Sequence, residues 1–269
     1  MVYENSKPIT AKAKEYKIIK SNDLIQQSRF SLSLQEQRVI LYLISKIKPE
    51  DTKLTDYEFK IQDFCTLCGI DNANGANYKY IKQTLKGLRD KSIWLTRSDG
   101  AQVTLGWVSK VTINPGSGTV IIKLDDDMKP YLLQLKERFT SYELLYTLAM
   151  RSQYSVRLYE LLRSYEYQKK KIILDIDRMK ELVNAETYTR FPDFKRYVLD
   201  IAVREINDVS DLAVSYELIK EGRRYAKLAF EVNLKNDSVE KDETLARIEK
   251  ILNPAQLSLF PVNEEVGLL

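Results

Sequence analysis

The sequence predicts an α+β chain built as two tandem winged-helix domains. An internal repeat, two basic amphipathic helices and turn signals for a hairpin in each half support this. Each copy of the repeat reads as a strand, a short apolar helix, a longer basic helix, then a strand and hairpin. The first runs from Tyr57 through Ile61, Phe64 and Leu67 to a helix over Tyr78–Asp90 and a strand over Ile93–Leu95. The second runs from Ile172 through Ile176, Met179 and Leu182 to a helix over Asp193–Asp208 and a strand over Leu212–Ile219. Ile61, Phe64 and Leu67 match Ile176, Met179 and Leu182 at a constant offset, and a few extra residues then precede the second basic helix.

Residues 1–20 carry Lys7, Lys12, Lys14, Lys17 and Lys20 among few apolar residues and read as a mobile basic arm, with order beginning near Ser21. Ser33 with Glu36 forms a capping box, and Leu34, Ile40, Leu41, Leu43, Ile44 and Ile47 give the apolar side of a helix running to about Lys48. The strand at Tyr57–Ile61 leads to a short helix ending at Gly69 and a polar loop from Asp71 to Asn77 with an Asn74-Gly75 turn. Val103 to Leu124 is β-branched and interrupted by Asn114-Pro115-Gly116-Ser117-Gly118, the wing of the first domain. Asp125, Asp126 and Asp127 point in different directions and have no histidine near them, so they read as a strand-to-helix turn and not as metal ligands. Thr140 with Glu143 repeats the capping-box signature, opens a helix through Leu144, Leu145 and Leu148, and starts the second domain. A strongly apolar helix over Tyr154–Tyr167 follows, closed by Lys169-Lys170-Lys171. Beyond about Lys235 the chain turns charged, with a helix candidate from Val239 to Leu252 and an apolar-spotted tail. The division is therefore an arm at 1–20, domains at 21–138 and 139–235, and a tail at 236–269.

The 269 residues suffice for two domains of roughly 100–130 residues. Hydrophobic residues at 44% and charged ones at 30% are ordinary for a soluble globular protein. No apolar run approaches the ~20 residues of a membrane span, and no signal-peptide pattern opens the chain, so no membrane partner and a cytoplasmic location are expected. Cys65 and Cys68 form a CxxC, but there is no histidine or further cysteine to complete a zinc site. They lie on the short helix and not after a strand in a βαβ unit, so buried or half-buried packing is the simpler role. The absence of histidine also removes Ser-His-Asp and Cys-His catalysis and histidine-dependent nicking, and no GKS or GKT loop is present. We therefore expect no enzyme, no metal and no cofactor. A net charge of +4 and a pI near 8.7 are mildly basic, so any nucleic-acid footprint must come from local clustering.

Two helices supply that clustering. On Tyr78–Asp90, Ile81, Leu85 and Leu88 face one way and Lys79, Lys82, Lys86 and Arg89 the other, a row able to follow a phosphate backbone. On the second, Phe194, Val198, Ile201 and Ala202 form the buried stripe, while Arg196, Asp200, Arg204 and Asn207 face outward beside Lys195. This mixture of arginine, carboxylate and amide suits base-edge reading, with Arg190 and Lys195 near the end that enters the major groove. The next hairpin bends at Glu221-Gly222 and carries Lys220, Arg223, Arg224 and Lys227, placed to reach an adjacent backbone or minor groove.

Three segments resemble the iteron-binding plasmid replication initiators, the Rep type 3 or initiator replication protein family: Gln153–Tyr165 (QYSVRLYELLRSY), Arg190–Asn207 (RFPDFKRYVLDIAVREIN) and Ser210–Arg224 (SDLAVSYELIKEGRR). Ser31–Ile44 is more loosely similar, and the resemblance spans about Ser21 to Leu234. It implies two winged-helix domains, the second reading iteron repeats in the major groove, the first contacting DNA and mediating dimerisation. It also implies monomers that initiate at iterons, dimers that repress the initiator's promoter at an inverted repeat, and recruitment of a host initiator and replicative helicase. Lys195 and Arg196 are the contacts it carries over. Outside it, Gln256-Leu257-Ser258-Leu259-Phe260 looks like a peptide that docks on the bacterial sliding clamp, a glutamine followed by apolar anchors for a preformed groove. The alternative function is a tandem winged-helix transcriptional repressor that never initiates replication.

Overall fold

The computed structural model describes residues 16–63, 77–168 and 171–252, with the side chains of 77–81 excepted. Phe64, Cys65, Leu67, Cys68 and the Gln256–Phe260 peptide lie outside the described residues.

The described residues open with β1 (Lys17–Ser21) and α1 (Asn22–Gln26), capped by the Ser21 hydroxyl accepting from the Leu24 amide. After β2 (Ser28–Arg29), α2 (Leu34–Ile44) begins at the expected capping box. There the Glu36 amide donates to the Ser33 hydroxyl and the Ser33 amide donates to the Glu36 carboxylate at 2.7 Å. Val39, Ile40, Leu43 and Ile44 recur at helical spacing and are buried in the core. The next elements are β3 (Asp56–Lys60), the basic helix α3 (Asn77–Asp90), β4 (Ser92–Thr96), β5 (Gln102–Gly106), β6 (Val108–Asn114) and β7 (Thr119–Leu124). β6 and β7 are the expected wing, and β3 pairs antiparallel with β7. Asp125 caps the turn after β7 by accepting from the Asp127 amide at 3.0 Å, and a short 3-10 turn runs into α4 (Lys129–Leu132), as the three aspartates suggested.

Three expectations need correction here. Residues 139–143 form β8 (Phe139–Glu143), not a capping box: β8 pairs antiparallel with β1, and Thr140 and Tyr142 alternate into the core. The anticipated boundary after residue 138 therefore cuts through a two-stranded sheet. The end of the supposed basic arm likewise forms β1, with Lys20 only 2% exposed, while residues 1–15 lie outside the described residues. Finally, β4 pairs with β2 and β5 in a separate sheet, so the first-half counterpart of the second hairpin's leading strand is β6, not Ile93–Leu95.

Helices α5 (Leu144–Ala149) and α6 (Gln153–Tyr165) come next. α6 links the halves: its Arg157 donates to the carbonyls of Leu182, Ile25 and Ser28 and stacks on the Phe30 ring. Glu160, one turn along, forms a buried ion pair with Lys20. The second half then supplies β9 (Ile172–Asp175) and α7 (Ile176–Val183), whose Ile176, Met179 and Leu182 are buried. Helix α8 (Phe191–Phe194), a π turn (Lys195–Leu199) and α9 (Asp200–Val209) run end to end as the second basic helix. β10 (Leu212–Glu221) and β11 (Arg224–Leu234) form its hairpin, and β9 pairs with β11 as β3 pairs with β7. Among the described residues the last element is α10 (Ser238–Ile251), near the expected bounds, with Thr244 and Ile248 buried. Among the described residues, no helix is long and apolar enough to cross a membrane.

Candidate nucleic-acid interface

The second basic helix begins with Pro192 in its first turn, where a missing amide hydrogen costs nothing. Within it, the Asp200 amide reaches back five residues to the Lys195 carbonyl, the widened bond of a π turn, a feature often found at functional positions. That extra residue alters the buried stripe, which reads Phe194, Val198, Leu199, Ala202, Ile206 and Val209, with Ile201 only half-buried.

The same turn brings Lys195 and Asp200 into line. The Lys195 ammonium lies 2.7 and 2.9 Å from the two Asp200 carboxylate oxygens, and the Tyr216 hydroxyl on β10 donates to Asp200 at 2.6 Å. The hydrogen bonds to Asp200 and Tyr216 push the Lys195 pKa up. Partial burial works to raise Asp200, but its bonds from Lys195 and Tyr216 outweigh that and hold it below the usual carboxylate value. Asp200 is thus tied to the hairpin and is not the free acceptor for a cytosine amine that its position on the wheel suggested. Asn207 changes role more completely. Its amide donates to the Val214 carbonyl at 2.8 Å and accepts from the Val214 amide at 2.7 Å, so it fastens α9 to β10.

Arg196 and Arg204 remain exposed on the outer side of the helix. The Arg196 guanidinium sits 5.2 Å from the Tyr197 ring centroid. Arg190, 78% exposed, lies 3.9 Å from Asp193 across the first turn. The hairpin turns tightly at Gly222, whose φ of +65° suits glycine, between paired Glu221 and Arg224. Arg223 and Arg224 project from that tip, exposed, whereas Lys227 is paired with Glu221 at 2.8 Å. Among the described residues, Arg196, Arg204, Arg223 and Arg224 have no carboxylate within ion-pair distance, so their charge is directed outward.

In the first half, Leu85 and Leu88 of α3 are buried while Lys82, Lys86 and Arg89 are exposed, as the wheel required. The row is not free of acid contact, since Lys86 pairs with Asp90 at 2.5 Å one turn on. Both partners stand in solvent, where such a pair contributes little and yields readily to a phosphate. Lys79 lies on α3, its side chain outside the described set. Gly87 lets α3 pass close to α2: a Cβ there would come 3.1 Å from the Glu36 carboxylate, which also accepts from Lys91 at 2.6 Å.

Comparison with known proteins agrees with this architecture. The family model described as Initiator Replication protein, WH1, matches residues 17–163, and that described as Initiator Rep protein, WH2, matches residues 175–232. The PI protein of Escherichia coli is 30% identical over 182 residues, 61% of this chain and 60% of that protein's length. A Replication initiation protein of Escherichia coli is 24% identical over 231 residues, 82% of this chain and 70% of its own. A crystal structure of the Pi initiator protein in complex with iteron DNA superposes with a TM-score of 0.66 at 26% identity, covering 83% of this chain and 99% of that one. With both winged-helix models matched in order over this fold, the chain belongs to the initiator replication protein family.

Proposed function

We propose that this chain is a plasmid replication initiator that binds repeated sites in duplex origin DNA and has no catalytic centre of its own. The observation that carries the reading is its likeness, along 99% of the other chain, to an initiator crystallised on iteron DNA. The exposed arginines of α8–α9 and the β10–β11 tip support it, because guanidinium groups not held by carboxylates keep their donors for base edges and phosphates. In this reading the second unit reads bases through Arg196 and Arg204, with Arg190 and Lys195 near the groove, and Arg223, Arg224 and Lys227 follow the neighbouring backbone. Lys79, Lys82, Lys86 and Arg89 of the first unit add backbone contacts, and that unit mediates a homodimer in equilibrium with monomer. Several binding events and the bending they impose supply the free energy for opening adjacent duplex. Recruitment of a host initiator, the replicative helicase and, through Gln256–Phe260, the sliding clamp completes the proposal, together with repression of its own promoter by the dimer.

A footprint and gel-shift titration on the DNA beside the chain's own gene, at two salt concentrations, tests it. Evenly phased direct repeats protected by monomers support the initiator. A single inverted repeat protected by a dimer moves the reading to a repressor, and no protection removes both. Deleting residues 256–260 tests the clamp peptide separately: repeat binding stays intact and capture by purified bacterial clamp is lost.

A further inference from the structure

The outer side of the second basic helix carries a large aromatic side chain, Tyr197, 46% exposed, which the base-reading scheme leaves without a role. Its ring ends a row of three. Tyr154, at the start of α6, meets Tyr188 edge-on with centroids 6.1 Å apart, and Tyr188 lies against Tyr197 at 6.3 Å with the planes inclined by 31°. Arg196 completes the row, its guanidinium 5.2 Å from the Tyr197 centroid.

Two ways of holding a cation appear on this helix. Lys195 is held by a carboxylate, which occupies its donors. Arg196 is held by a ring face, which restricts the long side chain while leaving the guanidinium edge open. A flexible arginine loses rotamer entropy when it is fixed on a ligand. A side chain already restrained in the free protein loses less, and the saving matters most where a two-pronged geometry must be met. We infer that Tyr197 is a positioning residue for sequence recognition. Its ring, backed by Tyr188 and Tyr154, sets Arg196 in the orientation in which its donors meet a base edge. This rests on the proposed binding of duplex DNA.

The test uses the full chain and a duplex bearing one repeat protected by the native protein, with a panel in which each base pair is changed singly. Tyr197→Phe keeps the ring and is expected to discriminate as the native chain does. Tyr197→Leu is expected to lose about fivefold or more of the discrimination at the position read by Arg196. Its salt dependence should stay unchanged, since no phosphate contact is removed. In an Arg196→Ala background the same substitution should change nothing further, because the group it positions is gone. Equal weakening on every duplex, an undiminished effect in the Arg196→Ala background, or Tyr197→Phe as damaging as Tyr197→Leu would each overturn the inference. A native chain that prefers no sequence would remove the DNA reading and this inference together. A native preference left intact by Tyr197→Leu would remove the inference alone.

Discussion

Replacing Glu160 with glutamine should destabilise the protein more than any single change at the surface proposed to contact DNA. Lys20 and Glu160 form an ion pair with side chains 3% and 2% exposed, and Arg157 stands 3.5 Å from the second carboxylate oxygen. The Tyr142 hydroxyl donates to the first at 2.5 Å. One carboxylate therefore compensates two buried cations. Glutamine keeps the shape but leaves Lys20 and Arg157 facing each other without counter-charge, and breaking a buried pair in this way costs about 3–5 kcal/mol. That is a large part of the roughly 5–15 kcal/mol that holds a typical domain folded. Lys20→Met should cost less, because Glu160 keeps Arg157 and Tyr142 as partners. The pH dependence has a definite sign. Burial pushes the Glu160 carboxyl up, but the charges of Lys20 and Arg157 and the bonds from Lys20 and Tyr142 outweigh it, leaving the group below its ordinary 4.5. A carboxyl with a lowered folded pKa contributes stability that is present above the unfolded value and lost as pH falls through the folded one. Urea titrations followed by circular dichroism at neutral pH, repeated at pH values below 4.5, should show native stability falling with acid and Glu160→Gln falling less. A Glu160→Gln protein within about 1 kcal/mol of native, or one less affected than Lys20→Met, would refute this account of the cluster.

Three further outcomes are expected. Arg196→Ala should lower specific affinity and relax preference at one base pair by about 1–3 kcal/mol, read by competition between matched and mismatched duplexes; an unaltered preference removes it as a base reader. Lys82→Ala should weaken binding to all duplexes mildly and reduce the slope of log affinity on log salt by about one unit, and an unchanged slope takes Lys82 out of the interface. Asn207→Ala should cost roughly 1–3 kcal/mol of stability by unpairing both the amide and the carbonyl of Val214, measured by denaturant unfolding. A fully stable Asn207→Ala protein that lost only base preference would restore the contact role its position first suggested.

The helices were the most legible part of this chain. The Ser33–Glu36 capping box and the Asp125 turn both formed as read, because a cap and the amides it serves lie within three residues of each other. Thr140 and Glu143 carry the same spacing and yet form a strand. The alternation of buried Thr140 and Tyr142 was present, but what decides for the strand is the pairing of Thr140 with Lys20, far away in sequence. The candidate site divides in the same way. Arg196, Arg204, Arg223 and Arg224 could be placed on the outer surface from periodicity and turn position. Asp200 and Asn207 sat on the same wheel but turn to Tyr216 and Val214 on the next strand, partners that helical periodicity does not display.

The sequence by itself determined the repeated order of strand, basic helix and hairpin and which helix faces carry charge, since these rest on spacings within a few residues of one another, and its longer segments carried the resemblance to the family. Only the tertiary structure decided that β1 joins β8, that Lys20 is a buried partner of Glu160 and not part of an arm, and that a π turn pairs Lys195 with Asp200. Each of those depends on what a side chain or strand edge meets across the fold. A lysine or an aspartate has the same local propensity whether it meets water, a phosphate or a buried opposite charge.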